Sequence, residues 1–218
     1  MKEKQKMKGK VKEFIVKNLK WIILFICLIG FLTIAEDVFN KEIMNGDIIG
    51  YKLISTFLIS DFATPIAKFI TNFGGAIFLA VLTIILFILI KNKKIGVSIF
   101  SNLVIITALN QLLKNILQRP RPTEYRIIEE TGYSFPSGHS MISMAFYGYL
   151  IYLIYKYVKN KYAKWISIVL LGILICSIGI SRIYLGVHYT SDVLGGFLIS
   201  VSYLVIYISA VNKFLIEK

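Results

Sequence analysis

Lys114 is followed by Arg121-Pro122 in the pattern Lys-x6-Arg-Pro, and a third cation, Arg182, lies in Ser181-Arg182-x5-His188-x3-Asp192. Between them stands Pro136-Ser137-Gly138-His139. Each cation falls near the end of an apolar stretch. Holding a charge at mid-bilayer costs about 2.5–3.5 kcal/mol, less at the edge, so three together imply an anion that joins them. Arginine presents a planar fork that matches phosphate oxygens, and lysine adds a point charge. Pro136-Ser137-Gly138 opens a stretch whose first amides, hydroxyl and side-chain-free glycine form an anion cradle. The chain has 2 histidines, and both fall inside these clusters. His188 and Asp192 are four apart, so on a helix they share one face. The carboxylate can then take the Nδ1 proton and leave Nε2 free for attack. His139, beside the cradle, can protonate a departing oxygen and later deprotonate water. The chemistry this describes is in-line phosphoryl transfer through a phosphohistidine on His188.

Each residue also has a plainer reading. A histidine at a helix end often caps, a boundary arginine often snorkels, Asp192 could cap the last stretch, and Pro-Ser-Gly is common in turns. Those readings would have to coincide on one face of the molecule, and we set them aside. Two histidines about fifty residues apart with one nearby aspartate fall short of a zinc set. The expectation is a site without metal or other cofactor.

Six apolar runs must position these residues: Trp21–Ala35, Phe73–Ile90, Ile95–Leu113, Ser140–Tyr155, Trp165–Ile180 and Val193–Val211. A crossing needs roughly 20 residues, which the shorter runs reach once flanking lysines snorkel. The expected fold is an all-α integral membrane bundle of six transmembrane helices, one domain over residues 1–218 with its signature at 114–192. The net charge of +13 is arranged as a topological signal. Seventeen lysines and three acidic residues fall in the four segments on one side of such a bundle, against eight basic and nine acidic residues on the other. The positive-inside rule makes the lysine-rich side cytoplasmic, with both termini there and the three clusters outside. Attraction to anionic lipid accounts for the charge, and nucleic acid is not an expected partner. The first run reads as a retained span, not a cleaved signal. Cys27 and Cys176 read as small core residues.

Between the first two spans, Glu36–Thr71 mixes charge and apolar residues. Leu58, Phe62, Ile66 and Phe69 recur on one helical face, with Asp61, Thr64, Lys68 and Thr71 on another. This predicts a short amphipathic helix in the outer interface, serving as a lateral cover over the site or as simple anchorage. The polar residues Ser98, Ser101, Asn102, Thr107, Asn110 and Gln111 place the third span inside the bundle, and Gly195-Gly196 implies close contact by the sixth.

In order and internal spacing, the three clusters resemble the signature of the type-2 phosphatidic acid phosphatase superfamily, and the hydropathy around them resembles its membrane lipid-phosphatase branch. The resemblance implies a metal-independent lipid phosphate or diphosphate phosphatase of the plasma membrane. On matching positions it implies phosphate binding by Lys114, Arg121, Ser137, Gly138 and Arg182. It further implies His139 as acid/base, His188 as nucleophile and Asp192 as its partner. Arg119, Arg126, Tyr133 and Tyr184 lie outside the core signature. Expected substrates are phosphatidylglycerol phosphate, undecaprenyl diphosphate or phosphatidic acid; the expected partners are that lipid and the bilayer, and no motif encodes an oligomeric state. The same site could transfer phosphate to another acceptor. A transporter or scaffold without chemistry is the reading from a different class, disfavoured because the charges sit at span ends and not near the midplane.

Overall fold

The computed structural model describes residues 2–41 and 44–216, and among them all regular structure is helical. Helix α1 runs over Lys2–Phe39, α2 over Asn45–Phe57, α3 over Ala63–Asn72 and α4 over Ala76–Leu89. Then follow α5 (Lys93–Leu117), α6 (Gly138–Tyr157), α7 (Lys161–Tyr184) and α8 (Thr190–Val211), with a π-helical turn at Asn212–Ile216. Four segments are long and apolar enough to cross a membrane: Lys17–Phe39, Lys93–Leu117, Lys161–Tyr184 and Thr190–Leu215. Helices α3 and α4 pass the same test as a pair, bent by 50° at their junction. Phe25, Ile29, Ile77, Ile88 and Leu170 are among many large apolar side chains that point outward, a surface suited to lipid and not to water.

The helix ends follow from local sequence. Asn92 caps α5 by accepting from the Lys94 amide at 3.0 Å, and Asn160 caps α7 by accepting from Ala163 at 3.0 Å. Helix α5 stops at Gln118, which adopts the left-handed conformation just before Arg119-Pro120. Helix α7 stops before Gly186, whose φ of +70° and whose contact with Tyr125 leave no room for a side chain.

Helix α6 packs against α5, α7 and α8. Phe146 and Tyr149 of α6 meet Ile99 of α5, Ile178 of α7 and Leu204 of α8 in the main core. Polar pairs set the register. Tyr149 donates to Ser98 Oγ at 2.7 Å, and Asn102 Nδ2 to the Ala145 carbonyl at 3.0 Å. Such bonds between membrane helices contribute about 0.6 kcal/mol each on average, so they select register more than they hold the bundle. Ser98, Asn102 and Asn110 are buried as expected, whereas Thr107 and Gln111 point outward, because a helix with polar residues on several faces cannot turn all of them inward. Gly195 and Gly196 do allow close approach, to the Phe135 ring and the start of α6. Cys27 is half-buried and Cys176 is exposed, which corrects the reading of both as core. Cys176 lies on the outward stripe of α7 beside Ile173 and Ile180, where an apolar sequence does not tell lipid-facing from core-facing.

The antiparallel course of α5 to α8 puts Lys114, Gly138, Arg182 and Asp192 at one end. Lys93, Lys156, Lys161 and Lys213 belong to the opposite end. There Lys156 Nζ donates to Asn212 Oδ1 at 3.0 Å.

Candidate active site

Ser137 is the hinge of the cradle. Its Oγ caps α6 by accepting from the Ser140 amide at 3.5 Å and the Ser140 hydroxyl at 3.0 Å, which leaves its own proton to donate. The Ser137 amide donates to the Asp192 carbonyl at 3.0 Å, tying the start of α6 to the start of α8. The amides of Gly138 and His139 open the helix and have no intrahelical acceptor. A Cβ on Gly138 would lie 3.1 Å from Asn110 Oδ1 and 3.9 Å from Lys114 Cε, so a side chain here would press on Asn110 of α5. Asn110 Nδ2 fixes that approach by donating to the Pro136 carbonyl at 3.2 Å. The Phe135-Pro136 peptide is cis.

His188 does not share a helical face with Asp192. It lies in the turn after α7, directly before Tyr189, the N-cap of α8. Asp192 is the third residue of that helix, and its Oδ2 reaches back to the Tyr189 amide at 2.8 Å. The same oxygen accepts from His188 Nδ1 at 3.2 Å and from the Ser134 hydroxyl. A capping box therefore brings the pair together, so the capping role and the partnering role of Asp192 coincide. On the far side of the ring Arg121 Nη1 lies 3.0 Å from Nε2. Arginine is an obligate donor, so Nε2 accepts and the proton sits on Nδ1. Burial pushes the imidazole down to about 4, helped by Arg182 and Arg121 and opposed by Asp192. His188 is thus a neutral imidazole with its Nε2 lone pair facing the cations.

Arg121 and Arg182 converge on Glu130. Arg182 Nη2 donates to Glu130 Oε1 at 2.5 Å, and Arg121 Nη2 lies 3.9 Å from Oε2. Burial would raise the Glu130 carboxyl, but the two guanidiniums outweigh it and hold the group below its ordinary value. Arg121 is otherwise held by the carbonyls of Val187, Thr131 and Gly132 at 3.0 Å each. Arg182 Nη1 donates to Thr71 Oγ1 of α3 at 2.8 Å, while its buried Nε has no partner. Lys114 Nζ donates to the Tyr133 carbonyl and, at 3.5 Å, to that of Ser134. His139 lies by the bend between α3 and α4, its Cδ2 3.2 Å from the position of a Cβ on Gly74, and within electrostatic reach of Arg182, His188, Arg121 and Lys114.

All eight residues singled out from the sequence therefore meet at one end of the bundle. Four more lay outside that selection. Ser134 and Glu130 stand in the 118–137 loop, where proximity to Pro136-Ser137-Gly138-His139 is the one sequence signal. Arg119 donates through Nη1 to Asp192 Oδ1 at 2.7 Å and through Nη2 to Asp47 Oδ2 at 2.7 Å. Asp47 belongs to α2 and carried no local signal. Burial lowers Arg119, yet Asp192 and Asp47 raise it overall. Helix α3 forms where the amphipathic pattern ran, with Phe62, Ile66 and Phe69 outward. The polar stripe divides. Thr64 bonds the Tyr184 hydroxyl at 2.8 Å and Thr71 meets Arg182, while Asp61 and Lys68 stay exposed.

An apolar helical bundle that carries a buried histidine–carboxylate pair beside clustered cations describes a membrane protein with a site suited to an anion. A match of residues 94–216 to the PAP2 superfamily makes the assignment specific: the chain belongs to that superfamily. Phosphatidylglycerophosphatase B of Bacillus subtilis (strain 168) is 42% identical over 91 residues, which are 41% of this chain and 44% of the relative. The alignment thus spans less than half of that enzyme. The undecaprenyl-diphosphatase of Sulfolobus acidocaldarius is 28% identical over 192 residues, covering 82% of this chain and 84% of the relative. Among solved structures, the transmembrane PAP2-type phosphatidylglycerolphosphate phosphatase of Bacillus subtilis superposes with a TM-score of 0.76 at 27% identity, covering 88% of this chain and 96% of that one. Aquifex aeolicus LpxE shares the fold, with a TM-score of 0.59 at 19% identity.

Proposed function

We propose that the chain is a lipid phosphate or diphosphate phosphatase working through a phosphohistidine on His188. The observation that carries the reading is the two-sided hold on His188, with Nδ1 on Asp192 and Nε2 against the Arg121 guanidinium, which shares Glu130 with Arg182. A phosphate that displaces Glu130 meets Arg121, Arg182, Lys114, the Ser137 hydroxyl and the Gly138 and His139 amides. Nε2 attacks phosphorus and the bond to the lipid oxygen breaks; His139, which takes up a proton once the phosphate's negative charge offsets the surrounding cations, gives it to that oxygen. His139 then takes a proton from water, which attacks phosphorus as the P–N bond breaks and phosphate leaves. Asp192 balances the imidazolium charge in between. The cations already present supply the electrostatic work that a metal does elsewhere. Among the described residues no three His, Cys, Asp or Glu side chains cluster as metal ligands.

The bundle crosses six times if α6 and the bent α3–α4 pair each count as one span, so that the amphipathic α3, expected as a separate interfacial helix, is the outer arm of the second span. Helices α2 and α3 then lie beside the site in a single domain. The lysine-rich end then lies in the cytoplasm with both termini. The site opens at the outer face of the plasma membrane. The named relatives favour phosphatidylglycerol phosphate and undecaprenyl diphosphate over phosphatidic acid. Phosphate release by detergent-purified protein with EDTA present, from each of the three lipids, tests this. Release that survives EDTA, disappears in His188→Ala and leaves a trapped phosphohistidine in the native chain is the expected result. Folded protein that releases nothing from any lipid overturns it.

A further inference from the structure

Asp47 is a buried carboxylate on α2, outside the catalytic motifs, yet it touches the machinery around the nucleophile at two levels. Its Oδ1 accepts from the Ser191 amide at 2.8 Å, and its Oδ2 accepts from the Ser191 hydroxyl at 2.9 Å and from Arg119 Nη2 at 2.7 Å. The Ser191 amide is one of the first amides of α8, so Asp47 caps that helix from across the fold. Arg119 Nη1 spans from the Ser191 hydroxyl, at 2.7 Å, to Asp192 Oδ1, at 2.7 Å. The guanidinium carbon also lies over the Tyr189 ring, 4.1 Å from its centroid. Where α2 passes α8 the backbones are close: a Cβ on Gly50 would overlap the Thr190 side chain.

We infer that Asp47 and Arg119 are positioning residues, with Asp47 holding Arg119 so that Arg119 fixes the Asp192 carboxylate edge-on to His188. The inference rests on the reading of His188 as nucleophile. Arg119 takes Oδ1 of Asp192 and thereby turns Oδ2 toward the Nδ1 proton. Alone, that guanidinium would also draw negative charge away from the imidazole. Asp47 neutralises it. Two carboxylates against one guanidinium leave a net negative charge to meet the imidazolium that forms when Nε2 is phosphorylated. None of Lys114, Arg182, Ser137 or Gly138 bonds to Asp47 or Arg119 directly, so the side chains proposed to bind phosphate are not themselves held by this support.

Asp47→Asn keeps the shape and removes the charge. The expected result, in full-length protein in detergent, is a fall in kcat of about 30- to 100-fold, the scale seen for outer partners that orient a functional histidine. KM for the lipid and the inhibition constant for vanadate stay within about twofold. Nitrogen-15 spectra of the labelled histidines report the second readout. His188 is an Nδ1–H tautomer in the native chain and becomes a mixture in Asp47→Asn, with Asp47→Glu restoring part of both effects. Arg119→Lys, which keeps the charge but lacks the fork, gives the same pattern. A loss of thermal stability with kcat and tautomer unchanged overturns the inference, as does a raised KM with kcat intact. If Asp47→Asn does not fold, Ser191→Ala removes the hydroxyl bridging Asp47 and Arg119 and leaves every charge. A fall in kcat of about 3- to 10-fold with a shifted tautomer supports the inference, and an unshifted tautomer overturns it. Should the native chain release no phosphate from any lipid, the catalytic reading fails by itself. The tautomer comparison still decides whether Asp47 and Arg119 orient His188.

Discussion

Arg119 and Arg121 stand two residues apart in one loop and are opposite in kind. Arg119 is enclosed by Asp47 and Asp192 at 2.7 Å each, both on helices and both buried. Arg121 bonds mostly to backbone carbonyls and faces Glu130 at 3.9 Å, and it shares that glutamate with Arg182. Burial and the charge of Arg182 lower Arg121, whereas Arg119 is raised by its carboxylates in spite of burial. A cation with rigid, saturated partners orients its neighbours. A cation whose carboxylate partner sits on a loop, partly open to solvent, can exchange that partner for a ligand. The side proposed to carry the nucleophile is satisfied in itself, and on the side proposed to take phosphate Glu130 occupies the two arginines.

The largest test of that contrast is Arg182→Leu. If Arg182 binds phosphate as proposed, loss of this deeply buried cation should lower kcat/KM by about 10³-fold, read in steady-state assays, with the His188 tautomer unchanged. A tautomer change would break the separation of the two sides. Next, on the proposed mechanism, His139→Gln should lower kcat by about 10²-fold or more, with a phosphohistidine that persists long enough to trap, because the group proposed to deprotonate water is gone. A smaller effect is expected for Glu130→Gln. Without a competing carboxylate, inorganic phosphate should inhibit about 3- to 10-fold more tightly while kcat holds, and weaker inhibition would mean that Glu130 helps bind the anion. The least visible is pH. His188 titrates at about 4, below an ordinary histidine near 6.5, so the unfolded chain takes up the proton first. His188 therefore contributes a loss of stability as pH falls from about 6.5 toward 4, and none above that window. Nitrogen-15 titration should keep its ring neutral to about pH 4; a midpoint above 6.5 would contradict the buried, cation-facing placement.

Much of the site was legible because its motifs lie where helices begin and end. Apolar runs mark the helices, and the polar residues at their ends had to gather at one end of an antiparallel bundle. The amphipathic pattern located α3 but not the direction of each polar residue, since Thr64 and Thr71 turn to α7 while Lys68 turns away. The four-residue spacing of His188 and Asp192 pointed to the right contact for the wrong reason. A helical face and a capping box both join residues near that separation, and only the chain path tells them apart.

Residue types and spacing thus determined by themselves the membrane class and a set of eight candidate residues that the fold gathers at one end of the bundle. Those features depend on local hydropathy and on charges close in sequence. Tertiary structure alone decided that Asp47 supports Asp192 through Arg119, that Glu130 sits between Arg121 and Arg182, and that Nε2 of His188 meets Arg121. Each depends on partners brought together by the packing of α2 on α8 and the fold of the 118–137 loop. A hydrogen bond across 144 positions leaves no periodicity for a sequence to show.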